Sequence, residues 1–483
     1  MIFILTFQDL QAVGTDESKR IEWVRTAIDK HRNSDAFKTA QKAQDYDKRQ
    51  NTTVVTYQKL LYKLSGEAVP DNYSANHKIC SNFFNRFVTQ ETQYLLGNGV
   101  TWDKDAGDRL GDDFDSDLQD AAHKALVDGV SFGFWNYDHM EVFRLTEFMP
   151  LYDEEDGAMK AGIRFWQIDN LKPLRATLYE LDGYTEYIWR VGEDGEVLRP
   201  KRKYVLRVRT SPVDGTEIFD GENYPSFPIV PLWANIGHQS ELVGIQEGID
   251  AYDLIKSGFA NDVDDASLIY WTINNAGGMD DIDLAQFVQR MRTVKAAVVS
   301  DDGASAQAHT VDVPFGSKEA LLSRIRDDLY DDYMALDTKV IVGGAATATQ
   351  IKAAYEPLNS KADAFEYCVL DFLNGIMFVA GIEDNPSFTR SMIVNTQEMV
   401  QVVLQCTDYL SSRYITEKIL SLLGDADQLE SVLKEKEEEE AVDRFEPEVA
   451  NDSATVYEQG ASGNEEALAG NLQQGGAGTG SEV

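Results

Sequence analysis

Apolar positions recur at three- and four-residue steps along much of the chain, and in one long stretch the step changes to two. From Thr15 to Leu96 the period is helical. Ile21, Val24 and Ile28 share one face, as do Ile79, Phe83 and Phe87, with Glu91 on the adjoining edge. Gly97-Asn98-Gly99 then predicts a stop. Leu118, Ala121, Ala122, Ala125 and Leu126 predict a further helix that closes at Gly129. Residues 131 to 210 read instead as strands, with Phe132, Phe134, Met140, Val142, Phe165, Tyr184, Tyr187, Trp189, Val205 and Val208 in alternating or aromatic-rich runs. Asp182-Gly183 and Asp194-Gly195 are two-residue hairpin signals within it.

Pro225, Pro228 and Pro231 mark a change of direction before a helical pattern from about Leu242 to Asp265, with Ile245, Ile249, Tyr252 and Leu254 or Ile255 on one side. Residues 267 to 316 read as a small α+β insertion. It comprises a strand-like Leu268-Ile269-Tyr270-Trp271, a Gly277-Gly278 break, a short helix around Leu284 to Met291, and a Val298-Val299 strand before Asp301-Asp302-Gly303. The next helix, Glu319 to Lys339, puts Leu322, Ile325, Leu329 and Leu336 on one face and Asp327, Asp328, Asp331 and Asp332 on another. Like charges at i and i+4 repel, so an isolated helix would not favour that arrangement. Gly343-Gly344 and the small-residue stretch Ala345 to Thr349 precede a long helix from Gln350 to about Val379, built on Leu358, Ala362, Phe365, Val369, Phe372 and Ile376. Pro357 is expected to kink it. Shorter helical patterns run from Met392 to Leu433, Glu435 to Glu440 open a polar tail, and everything past about Ala450 is expected to be disordered.

Composition narrows the function. A chain of 483 residues has room for roughly three structural units. With 44 Lys+Arg against 82 Asp+Glu, the formal net charge is −38, which excludes a grip on nucleic acid or anionic lipid through a generally basic surface. Hydrophobic content of 43% and aromatic content of 10% are those of a folded chain, so the excess charge is carried on a globular body. Cys80, Cys368 and Cys406 stand far apart in apolar, helix-like stretches with no CxxC spacing, which argues against a disulfide framework or zinc site and for a reducing compartment. The apolar Met1 to Phe7 lacks a basic leader and a cleavage pattern and reads as a docking segment. No apolar run approaches about 18 residues, so no membrane span is expected.

Candidate chemistry is sparse. Gly129-Val130-Ser131-Phe132-Gly133 matches a G-x-S-x-G nucleophile elbow, but the elbow needs a strand leading in and a helix leading out, and here the order is reversed. Asp103, Asp105 and Gly107 sketch a calcium loop whose sixth and twelfth positions hold Asp108 and Phe114, where glycine and glutamate are required. Asp262, Asp264 and Asp265, and likewise Asp280, Asp281 and Asp283, are clusters that so acidic a composition produces readily. His31, His77, His123, His139, His238 and His309 fall at no ligand spacing, and no phosphate loop or dinucleotide fingerprint is present. Neither a metal nor another cofactor is therefore expected. With no acid, base or nucleophile assembled, assembly is a more economical role than catalysis.

Two long helices flanking a small α+β insertion, then a glycine break, a long helix and an acidic tail resemble the tailed-bacteriophage portal proteins of the SPP1-like type. Three stretches carry the resemblance, in the family's order. The first is Asn76-His77-Lys78-Ile79 through Asn82-Phe83-Phe84 to Tyr94-Leu95-Leu96-Gly97. The second is Ile229-Val230-Pro231 with Asn235, then Gly248-Ile249-Asp250-Ala251-Tyr252-Asp253 and Ser257. The third is Ala348-Thr349-Gln350-Ile351-Lys352 to Tyr355-Glu356-Pro357-Leu358, with Lys361 and Phe365-Glu366.

The resemblance implies an α+β, mainly helical portal fold. Its parts would be a β-rich wing over 1–240, a first stem helix over 241–266, an α+β clip over 267–316 and a second stem helix over 317–342. A tunnel loop and long wing helix over 343–391, a helical crown over 392–440 and an acidic, Gly-rich tail over 441–483 would follow. It implies a non-enzymatic ring of about twelve subunits around a DNA channel. The implied partners are double-stranded DNA passing without sequence specificity, a terminase large subunit, a head-completion or connector protein, and the major capsid and scaffolding proteins, with no membrane. The implied location is the virion's portal vertex, after assembly in the bacterial host cytoplasm, with the genome later leaving through the same channel. Val342, Gly343, Gly344, Ala345, Ala346, Thr347, Ala348 and Thr349 would form the tunnel loop, an ordinary flexible helix connector being the alternative reading. Asp327, Asp328, Asp331 and Asp332 would line the channel and repel phosphates, or else form a solvated outer helix face. Rival functions are another ring-forming head or connector protein, and an acidic esterase using Ser131.

Overall fold

The computed structural model describes residues 5–443 except 63–64, 72–73, 211–216, 267–269, 275–285, 287–304, 310–313, 340–347, 393–395, 408 and 426–427. The readings on Leu268-Ile269, Asp280, Asp281, Asp283, Leu284 to Met291 but for residue 286, Val298-Val299, Val342 to Thr347 and the residues past 443 lie outside the described residues. By internal packing the chain forms two units, Met1–Asn395 and Thr396–Val483.

The first unit opens with helices α1 (Phe7–Val13), α2 (Glu17–Arg32), α3 (Asp35–Asp47) and α4 (Thr52–Thr56). Each starts where a short polar side chain takes up an unpaired amide: Thr6 in a capping box, then Asp16, Ser34 and Asn51. The continuous helical reading to Leu96 is interrupted here. A small hairpin of β1 (Leu60–Tyr62) and β2 (Ala68–Pro70) intervenes, and Ile79 and Cys80 lie in an irregular segment ahead of α5 (Phe83–Leu96). Short β3 (Val100–Trp102) and α6 (Ala106–Leu110) lead to α7 (Phe114–Asp128), which ends on a left-handed Gly129 at φ +90°.

The strand region follows as β4 (Val130–Asn136), β5 (His139–Arg144), β6 (Phe148–Tyr152), β7 (Met159–Trp166), β8 (Leu174–Glu180), β9 (Gly183–Trp189), β10 (Glu196–Arg202), β11 (Val205–Thr210), β12 (Glu217–Glu222) and β13 (Ile229–Trp233). Strands β6 to β10 make an antiparallel meander in sequence order, β4 pairs with β5 and β13, and β11 with β12. Both Asp-Gly hairpins exist, with displaced turns. Glu180 pairs with Gly183, so the two-residue loop is Leu181-Asp182. Gly183, at φ +135°, is held to glycine because a Cβ would lie 2.1 Å from the Arg202 carbonyl oxygen. The second loop spans residues 190–195 and turns at Gly192, φ +81°, rather than at Gly195.

Helix α8 (Gln246–Ala266) and helix α9 (Phe315–Tyr333) run antiparallel: Gly248 meets Leu329 at one end, and Phe259 meets Phe315 at the other. Beyond them β14 (Tyr270–Asn274) pairs antiparallel with β15 (Ser305–His309). Helix α10 (Ala348–Ala380) continues through Pro357, and β16 (Pro386–Phe388) pairs with β3.

The largest core gathers Phe87, Leu95, Ala121, Leu126, Leu329, Tyr333, Val369, Phe372 and Ile376 from α5, α7, α9 and α10. A second packs Leu10, Val24 and Ile28 against Ile163, Leu178 and Tyr187 of the meander. Val24, Ile28, Phe87, Ala121, Leu126, Leu329, Val369, Phe372 and Ile376 among them are residues whose periodicity predicted the helices. The second unit contains α11 (Thr396–Gln405), α12 (Ser412–Leu423) and α13 (Leu429–Asp443). The acidic run Glu435 to Glu440 falls within α13, so the helical pattern reaches beyond its predicted end at Leu433.

Candidate functional site

The three sequence stretches singled out above are remote in the chain and meet in the fold. The irregular segment before α5 lies along α8, and its alternate amides engage every fourth residue of the helix. His77 N–H donates to Asn261 Oδ1 (2.7 Å), Ile79 N–H to Ser257 Oγ (3.0 Å) and Ser81 N–H to Asp253 Oδ1 (2.9 Å). Asp253 is fully buried and also accepts from Asn51 Nδ2 at 3.0 Å. Burial pushes its carboxyl above the ordinary aspartate range, and the Asn51 and Ser81 bonds oppose that rise. One turn earlier, Asp250 accepts from Tyr46 and Thr53 at 2.5 and 3.0 Å. A backbone stretch without secondary structure is thereby satisfied by one helix.

A second convergence joins α5, α9, α10 and the loop ahead of α8. Glu91, 1% exposed, accepts from the Tyr333 hydroxyl at 2.7 Å and lies 3.7 Å from Lys361 Nζ. Lys361 donates to Glu241 and sits 3.7 Å from the centre of the Tyr333 ring. Glu241 in turn accepts from Asn235 Nδ2 at 2.8 Å. Two carboxylates thus share one ammonium in a buried setting. Burial pushes the Glu91 carboxyl up to about 7, Lys361 holds it down, and Glu241 adds to the rise. The neighbouring Gln90 brackets the Leu336 backbone, donating to its carbonyl at 3.1 Å and accepting from its N–H at 3.0 Å. One turn on, Tyr94 stacks on Tyr355 with ring centres 5.6 Å apart, and its hydroxyl donates to Asn359.

Sequence reasoning missed Glu91, Glu241 and Tyr333 as partners. The signal was present: Glu91 stands four residues after Phe87 and four before Leu95, an acid on an apolar face, and Lys361 stands between Leu358 and Ala362 on another. Charges at such positions call for each other.

Of the predicted site residues, Asp327, Asp331 and Asp332 are exposed on α9, and Asp328 is half-buried. Asp327 pairs with Arg326 and Asp328 with Arg324, so two of the four carry their own counter-charge. Val342 to Thr347 lie outside the described residues, while Ala348 and Thr349 begin α10.

The esterase reading fails on geometry. Ser131 is buried on β4 with its hydroxyl donated to the Ala121 carbonyl at 2.7 Å. The flanking glycines have packing reasons: a Cβ at Gly129 would lie 2.9 Å from Ser240 N, and one at Gly133 would lie 2.5 Å from the Phe372 ring. At the acidic loop, Asp384 accepts the amides of Asp103, Lys104 and Ala106, which fixes the loop by a carboxylate from elsewhere in the chain. Asp262 pairs with Lys318, and Asp264 with His77. Among the described residues no group of three or more His, Cys, Asp or Glu is placed to hold a metal, and no helix is long and apolar enough to cross a membrane.

The chain is 22% identical over 375 residues to the portal protein of Clostridium phage phiCD119, covering 71% of this chain and 81% of that one. It is 24% identical over 387 residues to the portal protein of Bacillus phage SPP1, covering 71% and 73% respectively. Among solved structures, the neck of a native GTA particle computed with C12 symmetry aligns with a TM-score of 0.40 at 11% identity, covering 70% of this chain and 89% of that one. The family of phage portal proteins described as SPP1 Gp6-like matches residues 27–441, and the chain belongs to that family.

Proposed function

We propose that copies of this chain close into a ring, about twelve by analogy with the family, through which double-stranded DNA enters the head during packaging and later leaves. Membership in the portal family sets its role at the capsid vertex, and the family is a structural one. The observation that supports the finer reading is the antiparallel pair α8 and α9, with the β14–β15 pair lying between them in the sequence.

In this reading residues 1–240 are the wing, 241–266 and 317–342 the stem, and 267–316 the clip that docks the terminase large subunit and afterwards a head-completion or connector protein. Residues 343–391 hold the tunnel loop and long wing helix, with Val342 to Thr349 as the DNA-facing loop. Residues 392–440 form the crown, and 441–483 an acidic tail. The exposed carboxylates Asp327, Asp331 and Asp332, with Asp328, support an acidic channel lining. Such a wall holds phosphates off, where a basic one would bind each phosphate and slow transit. Major capsid and scaffolding proteins are the expected neighbours in a virion assembled in the bacterial cytoplasm.

Light scattering on the purified chain, with electron micrographs of the same fraction, tests the ring. A closed ring with an open axial channel is expected, and a monomer at every salt concentration in the presence of scaffold would sink the proposal. Replacing Gly343 and Gly344 by valine should leave rings intact and impair packaging, because backbone freedom is lost without loss of core contacts. Unaltered packaging removes the tunnel-loop assignment.

A further inference from the structure

Glu91 touches both flanks of the segment 340–347. On one side it accepts from Tyr333, the last residue of α9; on the other it lies beside Lys361 of α10. Its helix neighbours repeat the pattern. Gln90 brackets the Leu336 backbone before the segment, and Tyr94 stacks on Tyr355 after it. Leu336 and Ile351, one from each flank, belong to the same small core with Tyr94, Tyr355 and Leu358. Arg326 adds a two-pronged pair with Asp337, both contacts at 2.8 Å, which fixes the chain leaving α9 against its own helix. Contacts from Gln90, Glu91 and Tyr94 of α5 therefore reach both flanks of the segment and add to the direct contact of Lys361 with the Tyr333 ring.

We propose that α5, through Gln90, Glu91 and Tyr94, is a clasp that holds the two flanks of residues 340–347 to one another, with Glu91 as the positioning residue that makes the hold cooperative. The proposal rests on the portal reading for its use: a loop facing passing DNA needs roots that do not separate when the loop is pushed. The clasp itself follows from the contacts alone. Glu91 suits the task because a single carboxylate meets groups from both flanks, Tyr333 and Lys361, and these also touch each other as an ammonium over a ring. The charged and titratable groups that face Glu91 are Lys361 of α10, Glu241 of the loop before α8, and Tyr333 of α9. A loosened flank on one side therefore removes a partner from the other.

Hydrogen exchange on the full chain reads this directly. Tyr333→Phe deletes one hydroxyl on the α9 side. The clasp requires amide exchange to quicken on both flanks, at 334–339 and at 348–355, on the order of tenfold, the value of one buried hydrogen bond. Amides of the β6 to β9 meander should keep their wild-type rates and so report that the variant is folded. Glu91→Gln is the milder second variant: it keeps an acceptor for Tyr333 and loses the charge beside Lys361, and it should quicken 348–355 more than 334–339. Quickening confined to 334–339 in Tyr333→Phe, with no change at 348–355 in Glu91→Gln, overturns the proposal. Electron micrographs of the same preparations separate the two readings. Rings without coupled flanks sink the clasp alone, whereas coupled flanks in a chain that never forms rings sink the portal assignment and leave the clasp standing.

Discussion

Gly248 of α8 and Leu329 of α9 pack so closely that a Cβ on residue 248 would lie 2.8 Å from Leu329 Cδ2. Leu329 is itself buried at 1% exposure, so its methyl has little room to retreat. Alanine at 248 gains about 1 kcal/mol of helix propensity and loses about as much to crowding. Gly248→Ala should therefore shift the urea midpoint little. Valine gains less propensity and crowds more, and Gly248→Val should cost about 2 kcal/mol or more. Equal midpoints for the two variants would show that the helices part without cost.

Asp253 supports a prediction about the segment that lies along α8. Asp253→Ala leaves the Asn51 amide and the Ser81 N–H without their acceptor in a buried place, a loss of about 2–4 kcal/mol. Asp253→Asn retains one acceptor and should recover part of it. Urea denaturation of both variants decides the matter: the order wild type, Asn, Ala is expected, and an alanine variant as stable as wild type contradicts it.

The buried carboxyl at Glu91 predicts the slope of stability with pH. Its folded value near 7 lies above its ordinary 4.5, so between these limits the folded chain binds the extra proton. The stability it contributes is present below the lower limit and is lost as pH rises through the upper one. Glu91→Gln mimics the protonated form and should flatten this part of the profile. Urea midpoints of the two proteins from about pH 5 to about pH 8 give the comparison. A wild-type slope that survives the substitution assigns the effect to another group.

Changing Asp327, Asp328, Asp331 and Asp332 together to asparagine should leave the fold within about 0.5 kcal/mol, since exposed ion pairs contribute little and Arg326 keeps Asp337. Packaging should slow if these side chains face DNA in the ring. Packaging at the wild-type rate would instead place them on a solvated outer face.

Periodicity made the helices legible because their buried faces are apolar at every turn: Leu358, Ala362, Phe365, Val369, Phe372 and Ile376 of α10 are all buried, as the spacing predicted. Periodicity does not show the break ahead of α5, because Leu60–Tyr62 and Ala68–Pro70 pair with each other and the amides of His77, Ile79 and Ser81 are satisfied by Asn261, Ser257 and Asp253, nearly two hundred residues away. Turn chemistry fared similarly. Gly183 answers to the Arg202 backbone and not to the turn beside it. At the candidate site, Glu91, Asn235, Tyr355 and Lys361 stand in stretches that carry the resemblance, whereas Glu241 and Tyr333 stand outside them. A single sequence shows that a charge is misplaced on an apolar face and does not show which distant charge answers it.

The contact of alternate amides with every fourth residue of α8 works as a vernier. Two residues of extended chain advance about 6.6 Å, and four residues of helix advance about 6.0 Å. The two scales slip by roughly 0.6 Å at each step. The three rungs from His77 to Ser81 absorb that slip in bonds of 2.7, 3.0 and 2.9 Å, and the mismatch grows with every rung added. The grip on α8 is therefore bounded in length by geometry. One residue inserted between His77 and Ser81 would turn the following amides away from the helix, while an insertion in the turn between β1 and β2 would leave every rung in place.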